Sequence, residues 1–351
     1  MKKLIVLVLC LALMLGGCTW LDGEYHSVTP HASSGTPMSD DVVTVTGYND
    51  IRDALVEMVT SGRQQSTFYI KGFGLEDVDQ HMNTAIMHVF QTSAVGAYAV
   101  EKIQYEAGTS GGISAIAVNV TYIHGRQEIL RIKSVKNMEM VESLIAYSLR
   151  SHEASTVIKV NEYEDLDVQQ LVQEYVGANP HLCMELPQVI ANIYPERGDE
   201  RVLEIFFNYQ TSRDALKIMQ DMVTPIFDAA ELYVQGSEDT RQKYEQLYAF
   251  LMERFDYKYE TSITPAYSLL RYGVGDSKAI AKVYSTMCQN AELECRVVNG
   301  TKNGDAYSWN LIRFDDTDYH VDLPACSKEG EFSVMVPEEM SGYVWDYSEF
   351  Q

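Results

Sequence analysis

Basic residues are scarce in this chain of 351 residues: Lys and Arg number 27, against 50 Asp and Glu, which gives a formal net charge of −23. A surface with this charge repels phosphate backbones and anionic lipid headgroups, so the sequence argues against a nucleic-acid-binding protein. Apolar residues are not scarce, since 46% of the chain is hydrophobic. Wholesale disorder is therefore excluded, and the length suggests two or three domains.

Long apolar runs are scarce as well. The run at the N-terminus follows Lys2 and Lys3 and ends at Leu15, which is too short for a comfortable membrane span. A basic start followed by a short apolar stretch is typical of a signal peptide, which we predict over residues 1–17.

The stretch Leu15-Gly16-Gly17-Cys18 resembles the bacterial lipobox. This resemblance implies cleavage before Cys18 and attachment of lipid to its thiol and new amino group. The expected product is an extracytoplasmic protein anchored to the bacterial cell membrane, and a plain secretory signal with an incidental Cys is the alternative. Residues 18–42 are rich in Ser, Thr, Gly, Pro and His without an apolar period, and they are predicted to form a flexible tether.

Two segments after the tether share one predicted order of elements, α-β-α-β-β. The first has predicted helices at 51–61 and 77–92 and strands at 66–71, 98–106 and 114–123. The second has predicted helices at 136–150 and 166–176 and strands at 155–160, 187–193 and 201–209.

Matching residues recur 87 to 89 positions apart, as in Ser66 with Ser155, Tyr122 with Tyr209 and Arg126 with Arg213. We interpret the segments as two α+β repeats at 43–135 and 136–211, followed by a connecting helix at 212–239. Coincidence among ordinary α+β patterns is the alternative.

Metal-ligand spacings are missing from these segments. His81 and His88 could share a helix face, but no carboxylate or Cys completes a site. His124, His152 and His181 stand alone near predicted turns, where we expect solvated imidazoles. We predict neither a metal nor a cofactor.

The last segment has a different pattern. It contains Gly273-Val274-Gly275, Cys295-Arg296-Val297-Val298, Trp309-Asn310-Leu311 and Tyr319-His320-Val321-Asp322, in that order. The arrangement resembles the bacterial transglutaminase-like family, a branch of the papain-like fold, over residues 240–351. The resemblance implies an α+β domain in which a Cys at a helix N-terminus, a His and an Asp form a catalytic triad.

Two of the three triad positions are altered. Aligning the family pattern puts the nucleophile at Ser277 and the His at Tyr307, while Asp322 keeps the expected identity. A Ser needs an adjacent base, and Tyr, with a reference pKa of about 10, is a phenol at neutral pH. We therefore expect a degenerate triad, and the inherited cleft, lined by Ser277, Tyr307, Trp309 and Asp322, is expected to bind a peptide, protein or cell-wall ligand without cleaving it.

Two alternatives remain open at this stage. One is an active hydrolase or acyltransferase that uses Ser277 or a relocated Cys. The other is a structural module in the assembly of a surface complex. The pairing of Cys288 with Cys295, or of Cys326 with Cys183, is also open, since export permits disulfides.

Overall fold

The computed structural model describes residues 43–110, 112–254 and 257–346. In these residues the chain forms three four-stranded sheets, with amphipathic helices packed against them. The predicted signal peptide at 1–17, the tether at 18–42 and the lipid-anchor residue Cys18 lie outside these residues. Across the described ranges, no helix is both long and apolar enough to cross a membrane.

The first sheet and its helices occupy the N-terminal part of the described chain. Their elements in chain order are β1 (Val43–Val45), α1 (Tyr48–Thr60), β2 (Gln65–Ile70), α2 (Val78–Gln91), α3 (Ala94–Ala99), β3 (Val100–Ser110), β4 (Ile113–Tyr122) and α4 (Arg126–Leu130). The strand order is β1-β2-β4-β3, with β1 parallel to β2 and the other neighbours antiparallel. Helix α1 buries Ile51, Leu55 and Met58, at the spacing of one helix face, against this sheet.

The second sheet follows with the same arrangement. Its elements are β5 (Lys133–Val135), α5 (Met138–Arg150), β6 (Ser155–Val160), α6 (Val168–Ala178), β7 (Gln188–Tyr194) and β8 (Arg201–Asn208). The order is β5-β6-β8-β7, again with one parallel pair followed by two antiparallel pairs. Asn137 and Asp167 begin the two helices by accepting a backbone N–H with their side chains, as N-cap residues do.

The predicted elements of these two segments are all found, with ends shifted by up to four residues. The predicted order lacks the short leading strands β1 and β5 and the short helices α3 and α4. Because β5 pairs with β6, Lys133–Val135 belongs to the second sheet, although the predicted boundary at residue 135 assigns it to the first segment.

The expectation that the isolated histidines are solvated is wrong for His152 and, at its Nδ1 atom, for His181. His152 is 1% exposed and neither of its ring nitrogens has a hydrogen-bond partner among the described residues. The Nδ1 atom of His181 is likewise buried without a partner. Each of the three rings packs on an aromatic side chain: His124 on Tyr98, His152 on Tyr209 and His181 on Phe227. Burial lowers the pKa of both His152 and His181, so the neutral form is favoured.

The C-terminal part adds a third, fully antiparallel sheet. Its elements are α7 (Arg213–Val234), α8 (Thr240–Met252), α9 (Pro265–Tyr272), α10 (Ser277–Asn290), β9 (Cys295–Lys302), β10 (Asp305–Phe314), β11 (Thr317–Val321), α11 (Leu323–Glu329) and β12 (Tyr343–Trp345). The strand order is β11-β10-β9-β12, and α10 packs on β9 and β10.

Helix α7 belongs to the core of this last part. Its Leu216, Val223 and Phe227 are fully buried in one cluster with residues of α8, α9 and α10. The hydroxyl of buried Tyr244 donates to the carbonyls of Glu294 at 2.7 Å and Arg313 at 3.1 Å, which ties α8 to the sheet. The segment predicted as a connecting helix is therefore packed into the C-terminal core.

Candidate functional site

Ser277 is the first residue of α10. Helix α9 ends at Gly273, which has a left-handed backbone (φ 66°), and the chain then turns into α10. Asp276 begins α10 by accepting the N–H of Ala279 at 2.8 Å with its carboxylate. The Ser277 hydroxyl faces β10, where it accepts the backbone N–H of Ser308 at 3.2 Å. Ser277 thus begins the helix at the position predicted for a nucleophile, and its hydroxyl accepts from a backbone N–H, which cannot act as a base.

Tyr307 and Asp322 converge as the sequence predicts. Tyr307 lies on β10, and its hydroxyl donates to Asp322 Oδ1 at 2.9 Å. Asp322 follows β11 directly and begins α11, where the same oxygen accepts the N–H of Ala325 at 3.0 Å. Its side chain is 1% exposed. The carboxylate therefore accepts a hydrogen bond from the phenol of Tyr307, the residue that the predicted alignment matches to the family's His.

Two further partners of Asp322 escape the sequence analysis. Lys302 Nζ lies 2.6 Å from Asp322 Oδ2, and the Tyr343 hydroxyl donates to the same oxygen at 2.5 Å. Lys302 ends β9 and Tyr343 begins β12, and the two residues pair directly in the sheet. Each strand thus brings one residue to one end of the sheet, and we refer to Lys302, Tyr307, Asp322 and Tyr343 as the Asp322 cluster. No sequence spacing links these four, because only the strand order makes them neighbours.

The electrostatics of the cluster favour phenols over phenolates. Burial and, after it, the charge and hydrogen bond of Asp322 raise the pKa of Tyr307 well above its ordinary value. Burial, together with the hydrogen bond to Asp322, also raises the pKa of Tyr343. Both hydroxyls therefore act as donors at neutral pH, and neither can serve as a general base there.

The Asp322 carboxylate is already saturated. Its two oxygens receive an ammonium, two phenols and a backbone amide, so no lone pair is left to orient another side chain.

Trp309 and His320 form a buried pair beneath the cluster. Trp309 is 1% exposed, and its Nε1–H donates to His320 Nδ1 at 3.0 Å. The rings of Tyr343 and Trp345 meet the indole edge-on, with centroids 5.2 and 5.6 Å away. Burial lowers the pKa of His320 to about 4, so at neutral pH its Nδ1 is an acceptor engaged by the indole.

Two of the four predicted cleft residues do not line a surface. Trp309 and Asp322 are each 1% exposed, so the prediction that their side chains contact a ligand directly is wrong. The physical reason is that the sheet pleat directs Trp309 into the core and the α11 cap draws Asp322 inward. Ser277 and Tyr307 remain partly exposed, together with Lys302 and Tyr343 of the cluster.

The cysteines are buried and free. Cys183, Cys288, Cys295 and Cys326 form no disulfide, so neither pairing considered above is present. Burial raises the pKa of Cys183 to about 12 and raises those of Cys288 and Cys326. Buried neutral thiols are poor nucleophiles, which counts against a relocated Cys. Among the described residues, no group of three or more His, Cys, Asp or Glu side chains could hold a metal ion.

Comparison with known proteins supports the fold of the last part. Residues 228–333 match the family model of the transglutaminase-like superfamily. The chain is therefore a mixed α+β protein with a C-terminal transglutaminase-like domain, which confirms the predicted resemblance. The match begins inside α7, in agreement with the packing of that helix into the C-terminal core.

Solved structures show only distant likeness. A TGase is 9% identical, with 58% of this chain and 70% of that chain covered and a TM-score of 0.26. A protein from Cytophaga hutchinsonii, provisionally assigned as a cysteine protease, is 9% identical, with 45% and 70% covered and a TM-score of 0.26. A provisionally assigned protease from Parabacteroides distasonis is 9% identical, with 73% and 40% covered and a TM-score of 0.24. No curated protein matches the chain significantly.

Proposed function

We propose that the C-terminal domain is a non-catalytic transglutaminase-like domain that binds a peptide or cell-envelope ligand at the surface of a bacterial cell. The observation that carries this proposal is the saturation of Asp322 by Lys302, Tyr307, Tyr343 and the Ala325 amide. In an active triad the carboxylate orients an imidazole, which then takes a proton from the nucleophile. Here the carboxylate orients phenols.

The nucleophile position supports the same reading. Ser277 Oγ accepts the N–H of Ser308. A Ser hydroxyl becomes a useful nucleophile only beside a base, and loss of a nucleophile or base from a triad costs on the order of a millionfold in turnover. His320, the nearest imidazole in sequence to Asp322, is engaged by Trp309 and lies largely buried.

The ligand surface that we propose differs from the predicted cleft. It consists of Ser277, Tyr307, Tyr343 and Lys302, whose ammonium lies 5.0 Å from the Tyr307 ring centre and 4.8 Å from that of Tyr343. Tyr rings offer an apolar face with a hydroxyl at the edge, which suits the mixed surfaces of peptides and sugars. Trp309 and Asp322 act from beneath, as residues that position the tyrosines.

The rest of the chain presents this domain. We propose that lipid on Cys18 anchors the protein, that residues 18–42 are a tether, and that residues 43–211 are two copies of one α+β module. The identical strand order of the first two sheets supports the duplication. So does a matching contact: Arg126 Nε donates to the Ser61 carbonyl at 3.1 Å, and Arg213 Nε donates to the Ser151 carbonyl at 3.0 Å.

Binding of cell-wall fragments and peptide pools to the full chain tests the proposal. We expect Tyr307→Ala and Tyr343→Ala to weaken binding by about tenfold or more, since tyrosines at the centre of a contact carry much of its energy. Tyr233→Ala is the matched control, because Tyr233 is an exposed tyrosine on α7, away from the cluster. Unchanged affinity in both Tyr307→Ala and Tyr343→Ala would overturn the proposal that these residues form the ligand surface.

Labelling with serine- and thiol-reactive probes tests the non-catalytic claim separately. We expect no labelling that a single substitution removes. Specific labelling abolished by Ser277→Ala, or by replacement of one cysteine, would instead establish the hydrolase or acyltransferase alternative.

A further inference from the structure

A cavity of about 390 Å³ lies between the second module and the C-terminal domain. Helix α6 and the residues that follow it form one wall, and residues 261–266 with the first turns of α10 form the other. Much of the lining is apolar, with Val176, Pro180, Met184, Ile263, Ala266 and Val283. The volume lies within the range of small-molecule sites. None of Ser277, Tyr307, Trp309 and Asp322 lines this cavity, so it does not depend on the function proposed above.

The acidic groups in the cavity wall are already engaged. Glu185 is 3% exposed, and its carboxylate accepts the backbone N–H groups of Gln210 at 2.5 Å and Thr211 at 3.1 Å. Asp276 caps α10 and accepts the hydroxyl of Thr261 at 3.2 Å. Because these oxygens are used internally, neither carboxylate offers a free pair of acceptors to a cation in the cavity.

The basic groups in the same wall are not engaged. Lys278 and Lys282 line the cavity, and neither ammonium has a hydrogen-bond or ion-pair partner among the described residues. Lys282 is half-buried and passes directly over Gly177, where an added Cβ would lie 2.7 Å from its Nζ. Burial and, after it, the positive charge of Lys278 lower the pKa of Lys282, and the opposing effect of the Asp276 carboxylate does not offset them.

We propose that this cavity binds a small carboxylate with an apolar body, in which the carboxylate pairs with Lys282 and the body lies against the apolar wall. An unpaired ammonium inside an apolar cavity is complementary to such an anion, because the pair forms in a site partly shielded from water. The absence of a side chain at Gly177 leaves the room that Lys282 occupies. The bound ligand would contact both walls and so link the second module to the C-terminal domain.

Calorimetric titration of the full chain in detergent with 4-phenylbutyrate tests the proposal, with 4-phenylbutanol as the uncharged analogue. We expect Lys282→Met to weaken 4-phenylbutyrate binding by about tenfold or more, the typical effect of losing a charged hydrogen bond. Lys328→Met is the control, because it removes the same charge from an exposed position on α11 that does not line the cavity, and we expect a change below about threefold. Partition of the ligand into detergent is the same for every variant and cancels in the comparison.

A second measurement covers the case in which a variant fails to fold. In the unmodified chain, 4-phenylbutyrate is expected to slow reductive methylation of Lys282 by about tenfold at saturation, read by mass spectrometry, while leaving that of exposed Lys328 nearly unchanged. Equal binding of the alcohol and the carboxylate, equal losses in the two lysine variants, or unchanged methylation of Lys282 would each overturn the proposal.

Discussion

We expect acid to destabilise the C-terminal domain by breaking one buried hydrogen bond, between Trp309 and His320. Trp309 Nε1–H donates to His320 Nδ1, and His320 is 4% exposed. When Nδ1 gains a proton, two N–H donors face each other and a buried imidazolium is left without an acceptor for that proton. The domain therefore depends on a neutral His320.

The size of the effect follows from the pKa. Burial lowers the pKa of His320 to about 4, against about 6.5 in an unfolded chain. Because the folded pKa is the lower one, the stabilisation is complete above pH 6.5 and is lost as the pH falls towards 4. A difference of about 2.5 pKa units corresponds to a loss of about 3 kcal/mol in the free energy of unfolding.

Tryptophan emission during urea denaturation can follow this loss between pH 7.5 and 4. The chain contains three Trp residues, so Trp20→Phe leaves Trp309 and Trp345, both beside His320, as reporters. His320→Gln keeps a hydrogen-bond acceptor that does not titrate in this range. We expect the unfolding free energy of the His320→Gln chain to depend on pH less steeply, by about 3 kcal/mol over the range.

Parallel pH profiles for the two chains would refute the reasoning. Other histidines titrate equally in both, so they cancel from the difference. A parallel result would mean that His320 is protonated in the folded chain at little cost.

Three further outcomes follow from the same region. Asp322→Ala should lower the free energy of unfolding by about 3–5 kcal/mol, because it leaves the partly buried Lys302 ammonium without its counter-charge and removes the N-cap of α11. Asp318→Ala, at an exposed position, should change it by less than about 0.5 kcal/mol. Urea denaturation measures both variants. Gly300→Ala should lower the free energy of unfolding by about 1–3 kcal/mol, since the added Cβ would lie 2.2 Å from a backbone oxygen of β12. Gly108→Ala is the control, because a Cβ there meets nothing within 4 Å. Thermal denaturation compares the two variants. Because the pKa of Tyr307 is raised in the folded chain, the free energy of unfolding should fall by up to about 1.4 kcal/mol per pH unit above pH 10, where the phenol of the unfolded chain ionises. Tyr307→Phe should reduce this slope. Equal slopes for the two chains above pH 10 would contradict the prediction.

Local sequence pattern was enough for the longer elements. The strand predicted at 155–160 is found at Ser155–Val160, and the helix predicted at 136–150 is found at Met138–Arg150. Both have several turns or alternations in which an apolar period can show. The leading strands β1 and β5 have three residues each, too few to display alternation, and they exist because a neighbouring strand supplies their hydrogen bonds.

The candidate site divides in the same way. Motif order was enough to place Ser277, Tyr307 and Asp322 in one region, because they lie at the start of α10, on β10 and directly after β11, which pack together. Sequence spacing could not find Lys302 and Tyr343, since they reach Asp322 only through the pairing of β9 with β12. Nor could it show that Trp309 and Asp322 are buried, because burial depends on what packs above a residue.

The sequence by itself determined the acidic composition, the longer helices and strands, and the identities of the residues at 277, 307 and 322. These properties reside in residue identity and short-range periodicity. The tertiary structure decided that Asp322 is saturated, that His152 and His320 are buried, and that Lys282 lies unpaired in a cavity between two parts of the chain. Those properties arise from contacts between residues distant in sequence, and the free energies that govern them depend on desolvation and on partners that only folding brings together.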